Sequence, residues 1–269
     1  MPFSWAALTD EIDPDLGVAL SVMAEAGVPG AELRTVCGKN VLELSDAEAE
    51  ACRRTVAEAG CTVAGIAAPV GKSALALPAA REQERLERAL ALAALTGAPR
   101  IRVFSFYPEG EARGAADGAE VISRLRGWAR SAERAGVLLV LENEVGLWAD
   151  VPERCRRVLD AVASPALRFA WDPANFLRSG VERPFDAGWA ALESHCACVH
   201  VKDCRRDGTH TPAGQGDGQW PELMAALRAR GGAPLVMEPH LELAGHSVGF
   251  TGAARFREAV AAARALAGA

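Results

Sequence analysis

The chain has 269 residues, half of them apolar, and a formal net charge of −6. That length suits one large α/β domain spanning 1–269 with a sizeable core, and the acidic balance leaves no basic footprint for gripping a nucleic-acid backbone. The N-terminus, MPFSWAALTDEIDPDL, lacks a signal peptide's basic start, no window approaches the roughly 18–20 apolar residues of a membrane span, and seven irregularly spaced cysteines argue for reduced thiols in the cytoplasm.

Strands and helices alternate from end to end, without a linker or low-complexity tract. A strand at Phe3–Leu8 precedes a helix near Pro14–Ala26, and one at Gly30–Arg34 precedes a helix at Asp46–Ala59. Thr62–Ala67 leads to Ala80–Thr96, Arg100–Phe106 to Ala116–Ala135, and Val137–Asn143 to Pro152–Val162. Leu167–Asp172 leads to Pro184–Ser194, Cys198–Lys202 to Trp220–Arg230, and Pro234–Glu238 to Gly252–Ala267. Several helices stop on glycine, as at Thr96-Gly97 and Ala135-Gly136, where a left-handed C-cap belongs. Ser45 and Glu48 fit a capping box. Eight such units predict a (β/α)8 barrel, with a doubly wound open sheet as the alternative.

Four ligand-type side chains close the last four apolar runs. VLLVLENE carries Glu142, LRFAWDPAN carries Asp172, CACVHVKD carries His200 and PLVMEPH carries Glu238. They lie 30, 28 and 38 residues apart. Each interval is about one strand–helix unit, since a βαβ crossover takes roughly 30 residues or more. Parallel strands bring such ends to one face, where barrel active sites sit. Alternation supports the placement: Glu142 and Glu144 oppose Leu139 and Leu141, and Glu238 and His240 oppose Leu235 and Met237. Cys196, Cys198, His200 and Lys202 share one face, and Glu32 and Arg34 oppose Ala31 and Leu33. Strand six is less tidy, because Trp171 then faces the helices beside Asp172.

Three carboxylates and one neutral imidazole form a hard, oxygen-rich donor set for one divalent ion. Mn²⁺ is the first expectation and Mg²⁺, Co²⁺, Fe²⁺ or Zn²⁺ the alternatives. Adjacent hydroxyl and carbonyl oxygens of a sugar would complete the coordination, acidify the proton between them and stabilise an enediolate. Glu142 and Glu238 would lie on opposite sides of that carbon as the catalytic acid/base pair. For each residue alone, the bland alternative is a carboxylate that merely caps the next helix.

In LENE (141–144), WDPANF (171–176), HVKD (200–203), PAGQGDGQW (212–220) and MEPH (237–240), the sequence resembles the xylose isomerase-like sugar isomerase/epimerase superfamily of (β/α)8 barrels. The resemblance runs over most of the chain. It implies that Glu142, Asp172, His200 and Glu238 bind the metal and that the two glutamates are the acid/base pair of ketose epimerases. The superfamily also includes inosose-processing enzymes, hydroxypyruvate isomerases, endonuclease IV-like proteins and C-glycoside-cleaving subunits. Two departures matter. Asn175 stands where ketose 3-epimerases usually carry histidine, and the ends of strands three and four lack the further ligands of endonuclease IV. A single ion is therefore expected.

The expected activity is isomerisation or epimerisation of a sugar, keto-sugar or cyclitol. The alternative is a lyase, dehydrating an inosose or cleaving a 3-keto-glycoside by β-elimination from the same carbanion. A Schiff-base aldolase using Lys202 and a non-catalytic sugar-binding subunit rank below both. Arg34, Lys72, Asn175, Lys202 and His240 are the substrate-binding candidates. Three have a plainer reading: Arg34 paired with Glu32, Lys202 with an acid such as Glu144, His240 at the rim. Trp148, Phe104, Phe106 and Phe176 offer a ring face or fill the core. Residues 214–217 (GQGD) are expected as a mobile loop over the mouth. The segment VGKS (70–73) has the wrong glycine spacing for a phosphate loop. Cysteines 196, 198 and 204 read as core rather than as a zinc cluster. A homo-oligomer or an accessory-subunit role is left open.

Overall fold

Eight parallel strands close into a barrel in the computed structural model of the chain, which describes residues 3–110, 114–242 and 249–268. The strands are β1 (Ser4–Leu8), β2 (Gly30–Leu33), β3 (Thr62–Val70), β4 (Arg100–Val103), β5 (Leu138–Glu142), β6 (Leu167–Trp171), β7 (Cys196–Val201) and β8 (Pro234–Met237). Each pairs with its neighbours in sequence, and β8 closes on β1 in a register running from Ser4 opposite Pro234 to Ala7 opposite Met237. Closure settles the architecture as a (β/α)8 barrel rather than an open sheet. Outside lie α1 (Leu16–Glu25), α2 (Asp46–Glu58), α3 (Ala79–Thr96), α4 (Ala115–Ala135), α5 (Pro152–Val162), α6 (Pro173–Arg178), α7 (Pro184–Leu192), α8 (Trp220–Ala229) and α9 (Ala253–Ala267). No helix among the described residues is long and apolar enough to cross a membrane.

Local chemistry fixes the ends of these helices. Both halves of the Ser45/Glu48 capping box form. Gly97 and Gly136 terminate α3 and α4 at φ of 76° and 66°, a left-handed conformation that strains a side-chain-bearing residue. Sequence patterning did not foresee the short α6, nor two small hairpins, Thr35–Val36 with Lys39–Asn40 and Asp203–Cys204 with His210–Thr211.

Alternation along the strands sorts the side chains into two layers. Ala6, Val140, Ala170, Cys198 and Val236 form a small apolar plug inside the barrel. Trp5, Leu139, Leu141, Phe169, Trp171, Leu235 and Met237 belong to the larger core between strands and helices. Trp171 does face the helices. Its ring meets those of Phe176 and Trp189 edge-on, with centroids 5.1 and 5.4 Å apart. One assignment from alternation is corrected: Cys196 does not share the inward face with Cys198. Phe169 pairs with Cys196 but Ala170 pairs with Cys198, so Ala197 is an extra, bulged residue and Cys196 turns to the outer core. Both cysteines are buried core residues, as expected. In β4, Ile101 and Val103 pack outward, and the alternate residues Arg100 and Arg102 turn inward. Arg100 reaches Glu32 at 2.6 Å, so Glu32 pairs with Arg100 and not with Arg34.

Two glycine-rich segments are tied to carboxylates. The N–H of Gly71, in the VGKS segment, donates to buried Glu82 at 2.7 Å, which occupies the donor a phosphate would need. The expected mobile loop at 214–217 is pinned instead. Buried Asp203 accepts N–H bonds from Gly214 (2.9 Å), Gly216 (3.0 Å), Gly218 (3.0 Å) and Cys204 (2.9 Å). A Cβ on Gly216 or Gly218 would fall 2.5 or 2.7 Å from the Asp203 carboxylate, so the close approach requires glycine at both. Asp203→Ala strands these donors and is expected to lower the unfolding free energy by about 2–4 kcal/mol. Urea denaturation checks this, and an unchanged midpoint would show that the bonds do not fix the loop.

Candidate active site

The four strand-end residues meet at the C-terminal mouth of the barrel. Glu142 is the last residue of β5, and His200 stands one residue before the end of β7. Asp172 and Glu238 directly follow β6 and β8, and all four are buried. A potential ligand atom from each lies within 4.8 Å of the other three. The His200 Nδ1 atom sits 2.8 Å from Glu238 Oε2 and 3.2 Å from Glu142 Oε1.

Two asparagines set the spacing. Asn143 clamps the end of β5 to that of β6: its side-chain amide donates to Asp172 O at 2.8 Å, and its Oδ1 accepts the Asp172 N–H at 2.9 Å. Asp172 caps α6 by accepting the Asn175 N–H at 2.8 Å. Asn175 then returns its Nδ2 to Glu142 Oε1 at 3.1 Å and to Asn143 O at 3.0 Å. Asn175 is buried and both its amide hydrogens are spent, so here it positions Glu142 rather than lining the substrate cavity.

Four buried atoms, Glu142 Oε2, Asp172 Oδ2, His200 Nδ1 and Glu238 Oε2, have charged neighbours but form no hydrogen bond of good geometry. One comes from each residue of the group. Buried polar atoms are normally satisfied, and an unfilled set demands an explanation. Three carboxylate oxygens and an imidazole nitrogen are a donor set that suits a divalent cation, so the residues fit the metal expected from the sequence.

Two cations stand beside the carboxylates: Lys202, expected on this face, and Arg102, which sequence analysis did not place here. Arg102 puts Nη1 3.3 Å from Glu142 Oε2 and 3.9 Å from Glu238 Oε1, while its Nη2 donates to Ala67 O at 3.0 Å. Strand alternation in RIRV was the available signal for it. Lys202 lies 2.8 Å from Asp172 Oδ2 and 3.8 Å from Glu238 Oε2. It is buried among metal-type ligands rather than on the cavity wall, and it does not pair with Glu144. Lys72 takes Glu144 instead.

A second group gathers behind Glu238. Arg34 donates through Nε to Asp10 Oδ2 (2.9 Å) and through Nη2 to Glu11 Oε1 (3.2 Å) and Gly249 O (2.9 Å), with Nη1 3.4 Å from Glu238 Oε1. His240 Nε2 lies 2.9 Å from Glu11 Oε1 and 3.3 Å from Glu238 Oε1. Its φ of 53° is left-handed, a strained state for histidine. The imidazole packs directly on Gly249, where a Cβ would fall 1.9 Å from the ring. Glu11, fully buried on the 3-10 turn after β1, was also missed from sequence.

The group opens into a cavity of about 410 Å³, with Arg34, Lys72, Arg102, Glu238 and His240 on its wall together with Arg178 and His210. Phe104, Phe106, Trp148 and Phe176 are buried core residues and do not line this cavity. Burial pushes the His200 imidazole down, but Glu142 and Glu238 outweigh it and raise its pKa to about 10. Burial favours the neutral acid at Glu142, yet His200 and Arg102 hold that carboxyl at about 2. Burial acts likewise on Glu238, and Lys202, His200 and His240 keep it well below the ordinary carboxylate range. At Asp172 burial wins over Lys202 and lifts the carboxyl to about 6.

The sequence profile of the xylose isomerase-like TIM barrel matches residues 20–266. Among solved structures, a D-psicose 3-epimerase determined in the presence of D-fructose aligns with a TM-score of 0.76 at 18% identity, covering 98% of this chain and 100% of that one. The 3-keto-D-glucoside 4-epimerase YcjR of E. coli aligns with a TM-score of 0.74 at 17% identity, over 98% of this chain and 99% of its own. The probable 3-DHS dehydratase AsbF of Bacillus anthracis gives 0.73 at 15% identity, over 96% and 97%. At these identities the likeness shows the fold. No curated protein matches the chain in sequence.

An ion bound at His200 Nδ1 would have to displace the proton there. With the metal-free pKa near 10, the proton is present throughout the neutral range and must leave on binding. Mn²⁺ affinity is therefore expected to rise about tenfold per pH unit between roughly pH 6 and 8. Calorimetric titration at several pH values checks it, and a pH-independent affinity would show that no proton leaves His200 on binding.

Proposed function

The chain belongs to the xylose isomerase-like TIM barrel family, and from that premise we propose that it is a divalent-metal-dependent isomerase or epimerase acting on a sugar, keto-sugar or cyclitol. One observation carries the reading: Glu142 and Glu238 reach the same buried point from strands on different sides of the barrel, each with one oxygen within 3.2 Å of His200 Nδ1 and a ligand-type atom within 4.8 Å of those of Asp172 and His200. An ion held by Glu142, Asp172, His200 and Glu238, Mn²⁺ by preference for hard oxygen donors, would supply Lewis-acid polarisation of adjacent hydroxyl and carbonyl oxygens.

The chain's own residues do the rest. Glu142, held anionic and aimed by Asn175, removes the carbon-bound proton of the hydroxy-carbonyl unit. Glu238, steadied by Arg34 and His240 and open to the cavity, takes up a proton from solvent and delivers it to the other side of that carbon. Arg102, beside Glu142 and on the cavity wall, places a guanidinium where negative charge develops. Burial of the group keeps water from competing. The seven free thiols fit a reducing compartment, in keeping with work in the cytoplasm.

Elimination is the second reading, and one observation favours it. The reaction starts from the same proton abstraction by Glu142, and a probable 3-DHS dehydratase shares the fold.

NMR in D₂O, with Mn²⁺-loaded protein and a panel of ketoses, inososes and 3-keto-glycosides, tests both. Deuterium entering one C–H position with mass otherwise unchanged is the expected result. Loss of water or of an aglycone would move the assignment to a lyase, and no exchange with any member would remove the proposal. Glu142→Gln is expected to slow exchange by about 10²–10⁴-fold. His200→Ala is expected to lose most of the metal, read by elemental analysis.

A further inference from the structure

The cations on the cavity wall are not equivalent. Arg34 is committed to Asp10, Glu11 and Glu238, Lys72 to Glu144, and Arg102 to Glu142. Arg178 also lines the cavity, is solvent-exposed, and makes no hydrogen bond or ion pair among the described residues. It is the last residue of α6, the helix that Asp172 caps. Six residues of helix set its backbone about 9 Å along the axis from Asp172, on the scale of one monosaccharide.

His210 is a second group without a partner on the same wall. Its Nδ1 is buried and bonds to nothing. The residue sits on the hairpin opposite Asp203–Cys204, which the Asp203 bonds to the glycine loop hold in place. Its ring meets His240 edge-on at 5.4 Å. Burial, then the charges of Lys202, His240 and Arg178, lower it to about 4, so at neutral pH it is an uncharged imidazole close to a free guanidinium.

We infer that the substrate carries an anionic group, a carboxylate or a phosphate, which Arg178 binds at the cavity rim with His210 beside it. The inference deepens the function proposed above and rests on it: the hydroxy-carbonyl end of the substrate lies at Glu142 and Glu238, and the anion lies at the far end. A neutral sugar would leave the Arg178 guanidinium without a counter-charge, whereas a charge-assisted bond to an oxyanion is among the stronger contacts available to a small ligand.

Isothermal titration of the full chain tests this with inorganic phosphate, gluconate and, as the neutral control, sorbitol. Wild type, Arg178→Gln and Arg178→Lys are compared, each metal-free and Mn²⁺-loaded, so that coordination of an anion to the ion is separated from binding at the rim. One anion is expected to bind metal-free wild type more tightly than sorbitol does. Arg178→Gln should weaken it by about tenfold or more and Arg178→Lys by less. Preference for phosphate or for gluconate identifies the group. Binding of neither anion, or equal binding by wild type and Arg178→Gln, overturns the inference. Manganese content of the same samples reports separately on the metal: its absence would defeat the proposed function while leaving the anion result readable.

Discussion

Three carboxylates, on Glu142, Asp172 and Glu238, are held side by side in a part of the barrel that water scarcely reaches, and the mouth of the barrel is organised around that constraint. Like charges at such separations repel, and burial removes the solvent that would screen them. His200 lies between two of them, Arg102 beside Glu142, Lys202 beside Asp172, and Arg34 and His240 behind Glu238. These cations balance the group through ion pairs, while one atom of each ligand-type residue forms no hydrogen bond of good geometry. Under the proposed function, a divalent ion would take the place of the His200 proton among these carboxylates.

The barrel makes this arrangement affordable by separating charge from core. Small apolar residues, Ala6, Val140, Ala170, Cys198 and Val236, plug the interior beneath the site. The large aromatic and aliphatic side chains stay outside, between strands and helices, and carry most of the hydrophobic burial. The acids can therefore crowd together at the top without disrupting the packing that holds the strands. Asn143 and Asn175 transmit the strand geometry to the carboxylates, so the spacing of Glu142 and Asp172 follows from backbone pairing of β5 with β6.

Much of this was legible in the sequence, for a physical reason. A strand alternates with period two whatever its surroundings, so apolar runs ending in Glu142, Asp172, His200 and Glu238 announce both the faces and the mouth. The same rule applied to RIRV would have exposed Arg102. It would not have found Glu11, which follows β1 on a 3-10 turn where alternation has ended. The bulge at Ala197 breaks the period inside a strand, which is why Cys196 was assigned to the wrong face. Ion pairs were the least legible feature. Whether Lys202 meets Glu144 or Asp172, and whether Arg34 meets Glu32 or Asp10, depends on side chains from distant strands whose approach only the closed barrel defines.

Anomalous diffraction at the manganese edge, from crystals soaked in Mn²⁺, bears on the central claim most directly. One peak is expected, bounded by Glu142, Asp172, His200 and Glu238. A map with no peak there, Lys202 still seated against Asp172, would mean that the protein balances these carboxylates with its own cations, and the metal-dependent chemistry would have to be abandoned.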